Sequence, residues 1–215
     1  PPPGGGPPPR DGDGPADEAP AEERGLKINA EGAYQGYTLF TPLRGQSTYL
    51  VNMAGEKVHE WKHDTSPGNS VYLLDNGELL RCARVENAPV FRGGGQGGRL
   101  QRFDWDGNVL WDWQLADEGN LHHHDIEPLP NGNILVIAWE YKSPEDAIAA
   151  GRDPSKVGED GFWPDVVFEI EPVGTDQARR VWQWSSWDHL AQDLDETKSN
   201  YMNVAENPQR IDCLL

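Results

Sequence analysis

The chain has 215 residues and is acidic, with 36 aspartate and glutamate residues against 18 lysine and arginine residues and a formal net charge of −18. A negative charge of this size argues against nucleic acid as a partner, because nucleic-acid binding needs a basic surface. No apolar run approaches the roughly 20 residues of a membrane-spanning helix, so no such segment is predicted.

Residues 1–25 consist mainly of Pro, Gly, Ala, Asp and Glu and contain no aromatic residue. Such a segment cannot bury enough apolar surface to offset its ordering entropy, so we expect a disordered linker. The chain begins with Pro1 and shows no hydrophobic signal segment. This favours either a removed leader or a sequence that starts downstream of one.

From Gly36 onwards the sequence consists of short β-prone runs joined by turns such as Asn76-Gly77, which are typical of hairpins. The paired runs are Thr48–Asn52 with Lys57–Trp61, Val71–Leu74 with Glu78–Leu80, Arg99–Phe103 with Asn108–Trp113, and Ile126–Leu129 with Asn133–Ile137. Gly55 and Gly107 are 52 residues apart, and Gly77 and Gly132 are 55 residues apart. This period, with about four strands and a tryptophan in each copy, is typical of propeller blades.

A third copy is predicted to begin at Asp165, after an insertion with a short helix. Ser143 is the expected N-cap of that helix and Gly151 its end. A second short helix is predicted over Trp187–Asp193. About three blades fit between Gly36 and the end of the chain, whereas closed propellers typically have four to eight. We therefore expect residues 26–215 to be an all-β propeller fragment, the N-terminal part of a domain truncated at its C-terminus.

Glycines and cysteines give weaker signals. The run Gly93–Gly98 lacks the Gly-Lys-Ser/Thr ending and the following helix of a phosphate-binding loop, so it is interpreted as a flexible crossover between blades. Cys82 and Cys213 match no metal-binding spacing and are interpreted as unpaired thiols, with a disulfide left open if the fold brings them together. Most tryptophans are assigned to blade packing. Trp139 and Trp163 flank the insertion and could reach an aryl ligand, with core or loop packing as the alternative.

The strongest functional signal is the run His122, His123, His124 and Asp125 at the start of a strand. Imidazole is well suited to exchange a proton, attack an electrophile or bind a metal near neutral pH. Strand alternation would place His122 and His124 on one face and His123 on the other. A structural histidine between blades and a zinc site remain alternatives, although the metallo-hydrolase pattern His-x-His-x-Asp-His is absent.

The repeat gives this run a location. A shift of 55 residues places His123 on Gly68, His124 on Asn69 and Asp125 on Ser70. These three residues form a polar trio that precedes the same strand in both copies. If that strand is the innermost of its blade, the trio lines the mouth of a central channel. We then expect Asp125 or Glu127 to orient a channel-facing imidazole.

Six segments carry a family resemblance through their order and spacing: Gly36–Leu43, Ser70–Leu80, Gly97–Gln101, Asp104–Asn108, His123–Leu135 and Trp187–Leu190. Together they resemble the bacterial arylsulfotransferase (aryl-sulfate sulfotransferase) family from about Gly36 to the end of the chain. The resemblance implies a six-bladed propeller, exported to the periplasm or outside the cell. It implies transfer of a sulfuryl group from an aryl sulfate to a phenolic acceptor through a histidine carrier, with no cofactor. The carrier and an assisting arginine are expected in later blades, outside this sequence.

The predicted catalytic residues are therefore His123, His124 and Asp125, and the predicted substrate-binding residues are Asn69 and Trp139, with no metal. The partners would be a small aryl sulfate and a phenol. Two alternatives stay open. One is a quinoprotein-like propeller, because Asp104–Gly107 followed by Trp111 resembles the tryptophan-docking repeat of that class. The other is a non-catalytic propeller that binds a glycan or a protein.

Overall fold

A computed structural model describes residues 25–213, which form mainly β-sheet with one short α-helix, in agreement with the predicted all-β class. The strands are β1 (Thr38–Phe40), β2 (Ser47–Val51), β3 (Lys57–Lys62), β4 (Pro67–Leu73), β5 (Leu79–Arg84), β6 (Gly98–Phe103), β7 (Val109–Gln114), β8 (Asn120–Pro128), β9 (Ile134–Glu140), β10 (Asp165–Val173), β11 (Gln177–Ser185), β12 (Leu190–Ala191) and β13 (Ile211–Asp212). The predicted linker lies outside the described residues except for Gly25, so its disorder stays a prediction.

The strands follow one another in antiparallel meanders. β1–β3 form the first sheet, β4–β7 the second and β8–β11 the third, each with sequence neighbours paired side by side. The predicted hairpins are present, and Gly77 and Gly132 hold the left-handed backbone that their turns require, with φ of 84° and 87°. The third sequence copy, expected to begin at Asp165, is instead the outer half of the third sheet, because β10 pairs directly with β9.

Consecutive sheets pack face to face. The first and second sheets enclose a small apolar core around Trp61, and the second and third enclose a larger one around Trp111. Each tryptophan also bonds to the next sheet: Trp61 Nε1 donates to the Asp104 carbonyl at 3.0 Å, and Trp111 Nε1 donates to the Gln177 carbonyl at 2.8 Å. Both acceptors lie at the turn between the last two strands of the neighbouring sheet. The first strands also meet, since β4 contacts both β1 and β8.

The 55-residue repeat is visible in the backbone. In the second sheet Pro67 pairs with Ala83 and Val71 with Arg81, so four steps along β4 oppose two steps along β5. In the third sheet His122 and Ile126 pair in the same way with Ala138 and Val136. Within these two bulges Asn69 and His124 have φ of 93° and 54°. They are the residues outside glycine with positive φ in the described part of the chain, and the sequence alignment had made them equivalent.

The insertion between β9 and β10 contains the predicted helix, α1 (Pro144–Ala149), with Ser143 as its N-cap. The second predicted helix, Trp187–Asp193, is wrong. A 3₁₀ turn covers Ser186–His189, and the chain then enters β12, which pairs in parallel with β13. The buried Gln192 amide ends this segment by accepting from the backbone N–H groups of Leu194 and Asp195. Within residues 25–213 no helix has the length and apolarity needed to cross a membrane.

Candidate functional site

The glycine-rich run supplies room for the histidine cluster. It lies inside the second sheet, between β5 and β6, and Gln96 makes a β-bridge to His123. The His124 ring covers Gly95, and a methyl group at Gly97 would lie 2.5 Å from Cε1 of His122. The run therefore packs against β8. Its predicted role as a flexible crossover between blades is wrong, because it connects two strands of the same sheet.

His122 is a buried structural residue. Its side chain has no exposed surface, its Nδ1 accepts from the Gly98 N–H at 3.0 Å, and its Nε2 lies 3.3 Å from Cys82 Sγ. Because Nδ1 is an acceptor, the proton of the neutral ring is on Nε2. Burial lowers the pKa of His122 to about 3, with a smaller contribution from His123. The ring therefore cannot take a proton from Cys82, whose own pKa is raised by burial to about 12.

The two cysteines do not pair. Cys82 and Cys213 are both free, buried thiols. Cys82 Sγ is 3.1 Å from Ser70 Oγ, so a chain of hydrogen bonds connects the His122 imidazole through the Cys82 thiol to the Ser70 hydroxyl. With a raised pKa and a closed surrounding, Cys82 is an inert core residue.

His123 connects the histidine run on β8 with β9 and β10 of the same sheet. It is 4% exposed and its ring stacks on Trp139 at a centroid distance of 4.4 Å. Its Nε2 is 3.1 Å from Asp165 Oδ1, and its Nδ1 is 2.9 Å from His124 Nδ1. We call Asp165, His123 and His124 the histidine relay. The expected partners of an active-site imidazole were Asp125 or Glu127, but the carboxylate that contacts His123 comes from the first residue of β10.

His124 is the member of the relay that reaches solvent. It is exposed, and its positive φ interrupts the strand alternation that was predicted for the three histidines. With Asp125 it forms part of an open cleft of about 600 Å³ between the first strands of the three sheets. The cleft is lined by Leu39, Phe40, Thr41, Asn69, Ser70, Val71, Tyr72, His124 and Asp125. Asn69, a predicted substrate-binding residue, thus lies in the same cleft as two of the predicted catalytic residues.

Asp125 is held by Tyr72 and by its own backbone. Its Oδ1 accepts from the Tyr72 hydroxyl at 3.0 Å and from the Ile126 N–H at 2.8 Å. Partial burial, reinforced by the bond to Asp125, raises the pKa of Tyr72 to about 12, so the phenol stays protonated at neutral pH. Among residues 25–213 no lysine or arginine lines the cleft. Its polarity comes from hydroxyl, amide, imidazole and carboxylate groups.

Trp139, the second predicted substrate-binding residue, does not line the cleft. It is half-buried in an aromatic cluster with Phe91 and Trp163 and supports the far side of His123. The structure therefore gives Trp139 a packing role behind the relay. The reason is its register: it pairs across the third sheet with Asp165, the residue whose carboxylate contacts His123.

A second hydrogen-bonded row reaches the cleft from the first sheet. Thr41 Oγ1 lies 2.7 Å from Thr48 Oγ1, which lies 2.8 Å from His63 Nε2. Burial and the positive charge of Arg81 lower the pKa of His63 to about 3, so the ring is neutral. Sequence reasoning missed this row and Asp165, because both join residues from separate strands without a local motif.

Within residues 25–213 no group of three or more His, Cys, Asp or Glu side chains is arranged to hold a metal ion. No protein-family model matches the chain, and a search of curated proteins finds no significant relative.

Proposed function

We propose that this protein is a β-propeller sulfotransferase that moves a sulfuryl group from an aryl sulfate to a phenolic acceptor. The observation that carries the proposal is His124: an exposed imidazole in an open cleft, backed by His123 and Asp165. A propeller is supported by three stacked meander sheets, by first strands that meet beside one cleft, and by tryptophans that bond each sheet to the next.

The chemistry of the transfer fits these groups. The S–O bond of the donor breaks, a new S–O bond forms to the acceptor, and the acceptor's proton ends on the released phenol. An imidazole at the cleft can exchange that proton. The hydroxyl and amide groups of Thr41, Asn69 and Ser70 can donate to sulfuryl oxygens, in place of a local cation. In this proposal the carrier histidine and its arginine lie outside these 215 residues, as the family resemblance implies.

The test is turnover of 4-nitrophenyl sulfate by the full-length protein, which includes the later blades that would hold the carrier, with phenol as acceptor; the assay measures release of 4-nitrophenolate. We expect His124→Ala to lower the rate about 10²-fold, the scale for loss of a positioned acid or base. His189→Ala is the matched control, because the His189 ring stacks on Trp184 and does not line the cleft. No release of 4-nitrophenolate by the wild-type protein, or equal rates for both variants, would refute the proposal.

A non-catalytic binding propeller is the second candidate, and it is favoured by the lack of lysine and arginine among the described residues that line the cleft. Calorimetry with a phenol separates the two: heat of binding without turnover would identify a binder. The family resemblance also suggests export to the periplasm or outside the cell, which fractionation of producing cells would test.

A further inference from the structure

The histidine relay has a direction that its hydrogen bonds determine. Asp165 is half exposed, with 52% of its side-chain surface accessible, and an ionised carboxylate offers only acceptors. The bond between Asp165 Oδ1 and His123 Nε2 therefore requires a proton on Nε2. In a neutral His123 ring the other nitrogen, Nδ1, is then an acceptor.

The next bond transmits this choice to the cleft. His123 Nδ1 and His124 Nδ1 are 2.9 Å apart, and one of the two must donate. Since His123 Nδ1 is the acceptor, His124 carries its proton on Nδ1. Its Nε2 then has a lone pair and makes no hydrogen bond with the described residues.

We propose that Asp165 is a positioning residue that, through His123, fixes the cleft residue His124 as the Nδ1–H tautomer and leaves Nε2 as the proton acceptor of its ring. The proposal rests on the proposed function only for the role of that acceptor. In the transfer reaction His124 Nε2 would take the proton of the accepting hydroxyl; the O–H bond and the S–N bond to the carrier histidine would break as the new S–O bond forms. The neutral ring could not donate a proton to the leaving phenolate from the same nitrogen.

Three features keep the relay in place. The His124 ring covers Gly95, where a side chain would collide with it, and the His123 ring is stacked on Trp139. His123 is also almost fully buried, so it cannot exchange its partners for water without leaving the sheet. A hydrogen bond to a carboxylate is strong enough to shift a tautomer ratio roughly tenfold or more.

The test is nitrogen-15 NMR of the histidine rings at pH 8, where histidines are ordinarily neutral. We expect a predominant Nδ1–H tautomer at His124 and an Nε2–H tautomer at His123 in the wild-type protein. Asp165→Ala should reduce the tautomer ratio at His124 about tenfold. Asp125→Asn is the matched control: it removes a neighbouring carboxylate that bonds to Tyr72 and not to the relay, so the ratio should stay unchanged.

An Nε2–H tautomer at His124 in the wild-type protein, or a ratio that Asp165→Ala leaves unchanged, would overturn the proposal. Asp165→Glu keeps an acceptor-only group and should restore part of the ratio, whereas an effect caused by misfolding would not be restored. The readout does not depend on turnover. Loss of activity in His124→Ala therefore tests the proposed function separately from the relay.

Discussion

Replacing Gly97 by alanine tests how tightly the glycine-rich run is fitted to β8. The new methyl carbon would lie 2.5 Å from Cε1 of His122, and His122 has no exposed surface through which the ring could leave. If the ring stays, overpacking costs about 1–3 kcal/mol. If it moves, the Gly98 N–H loses its acceptor, and an unsatisfied buried donor costs about 1–3 kcal/mol.

Either route gives a decrease of about 1–3 kcal/mol in the free energy of unfolding. For a protein of this size that corresponds to a fall in Tm of roughly 2–12 °C. The measurement is urea unfolding of Gly97→Ala beside Gly94→Ala. A methyl group at Gly94 would meet nothing within 4 Å, so this control should stay within about 0.5 kcal/mol of wild type.

A double variant makes the cause specific. His122→Ala removes the ring that the Gly97 methyl would strike, so Gly97→Ala should destabilise the His122→Ala background less than it destabilises wild type. Gly97→Ala at wild-type stability, or an equal cost in both backgrounds, would refute the packing role assigned to the run.

Three further predictions follow from buried groups. Trp111→Phe removes the hydrogen bond from the indole to the Gln177 carbonyl and should lower the free energy of unfolding by roughly 1–2 kcal/mol more than Trp113→Phe does. Trp113 is the control because its indole N–H has no partner in the described part of the chain. Equal urea midpoints for the two variants would contradict this. His122 and His63 are neutral in the folded state, with pKa values lowered to about 3, so the unfolded chain binds more protons than the folded one between about pH 6.5 and pH 3. The free energy of unfolding should therefore fall as the pH falls through that window. Urea midpoints at pH 7, 5 and 4 measure the effect, and a flat profile with protonated His122 resonances at pH 5 would contradict it. Cys82 should react with a thiol reagent only as fast as the protein unfolds, because burial raises its pKa to about 12; rapid labelling of the native Cys213→Ser variant would contradict this.

The hairpins and the repeat could be predicted from sequence because their signals are local. Asn-Gly and Asp-Gly turns determine where the strands end. The 55-residue shift aligned His124 with Asn69, and the matching bulges and positive φ values confirm that the two positions are equivalent. The carboxylate that contacts His123 could not be found from such local signals. Asp165 follows the insertion and meets His123 only because β10 pairs with β9.

Side-chain directions were predicted less well for a related reason. Strict alternation assumes a regular strand, and the bulge between His122 and Ile126 breaks it at His124. Trp139 was expected at a ligand because it is a large aromatic residue beside an insertion. Its actual neighbours, Phe91 and Trp163, come from two different loops that no periodic pattern connects.

The paired bulges restrict how this cleft can diversify. A left-handed backbone position readily accepts glycine and, among residues with side chains, favours Asn, Asp and His, whereas β-branched residues are strongly disfavoured there. Asn69 and His124 occupy two such positions on neighbouring sheets. Each copy of the repeat therefore contributes one position to the cleft at which an amide, a carboxylate, an imidazole or no side chain is accepted. A homologue could change the ligand that its cleft binds by substitution at these two positions while its backbone stays the same.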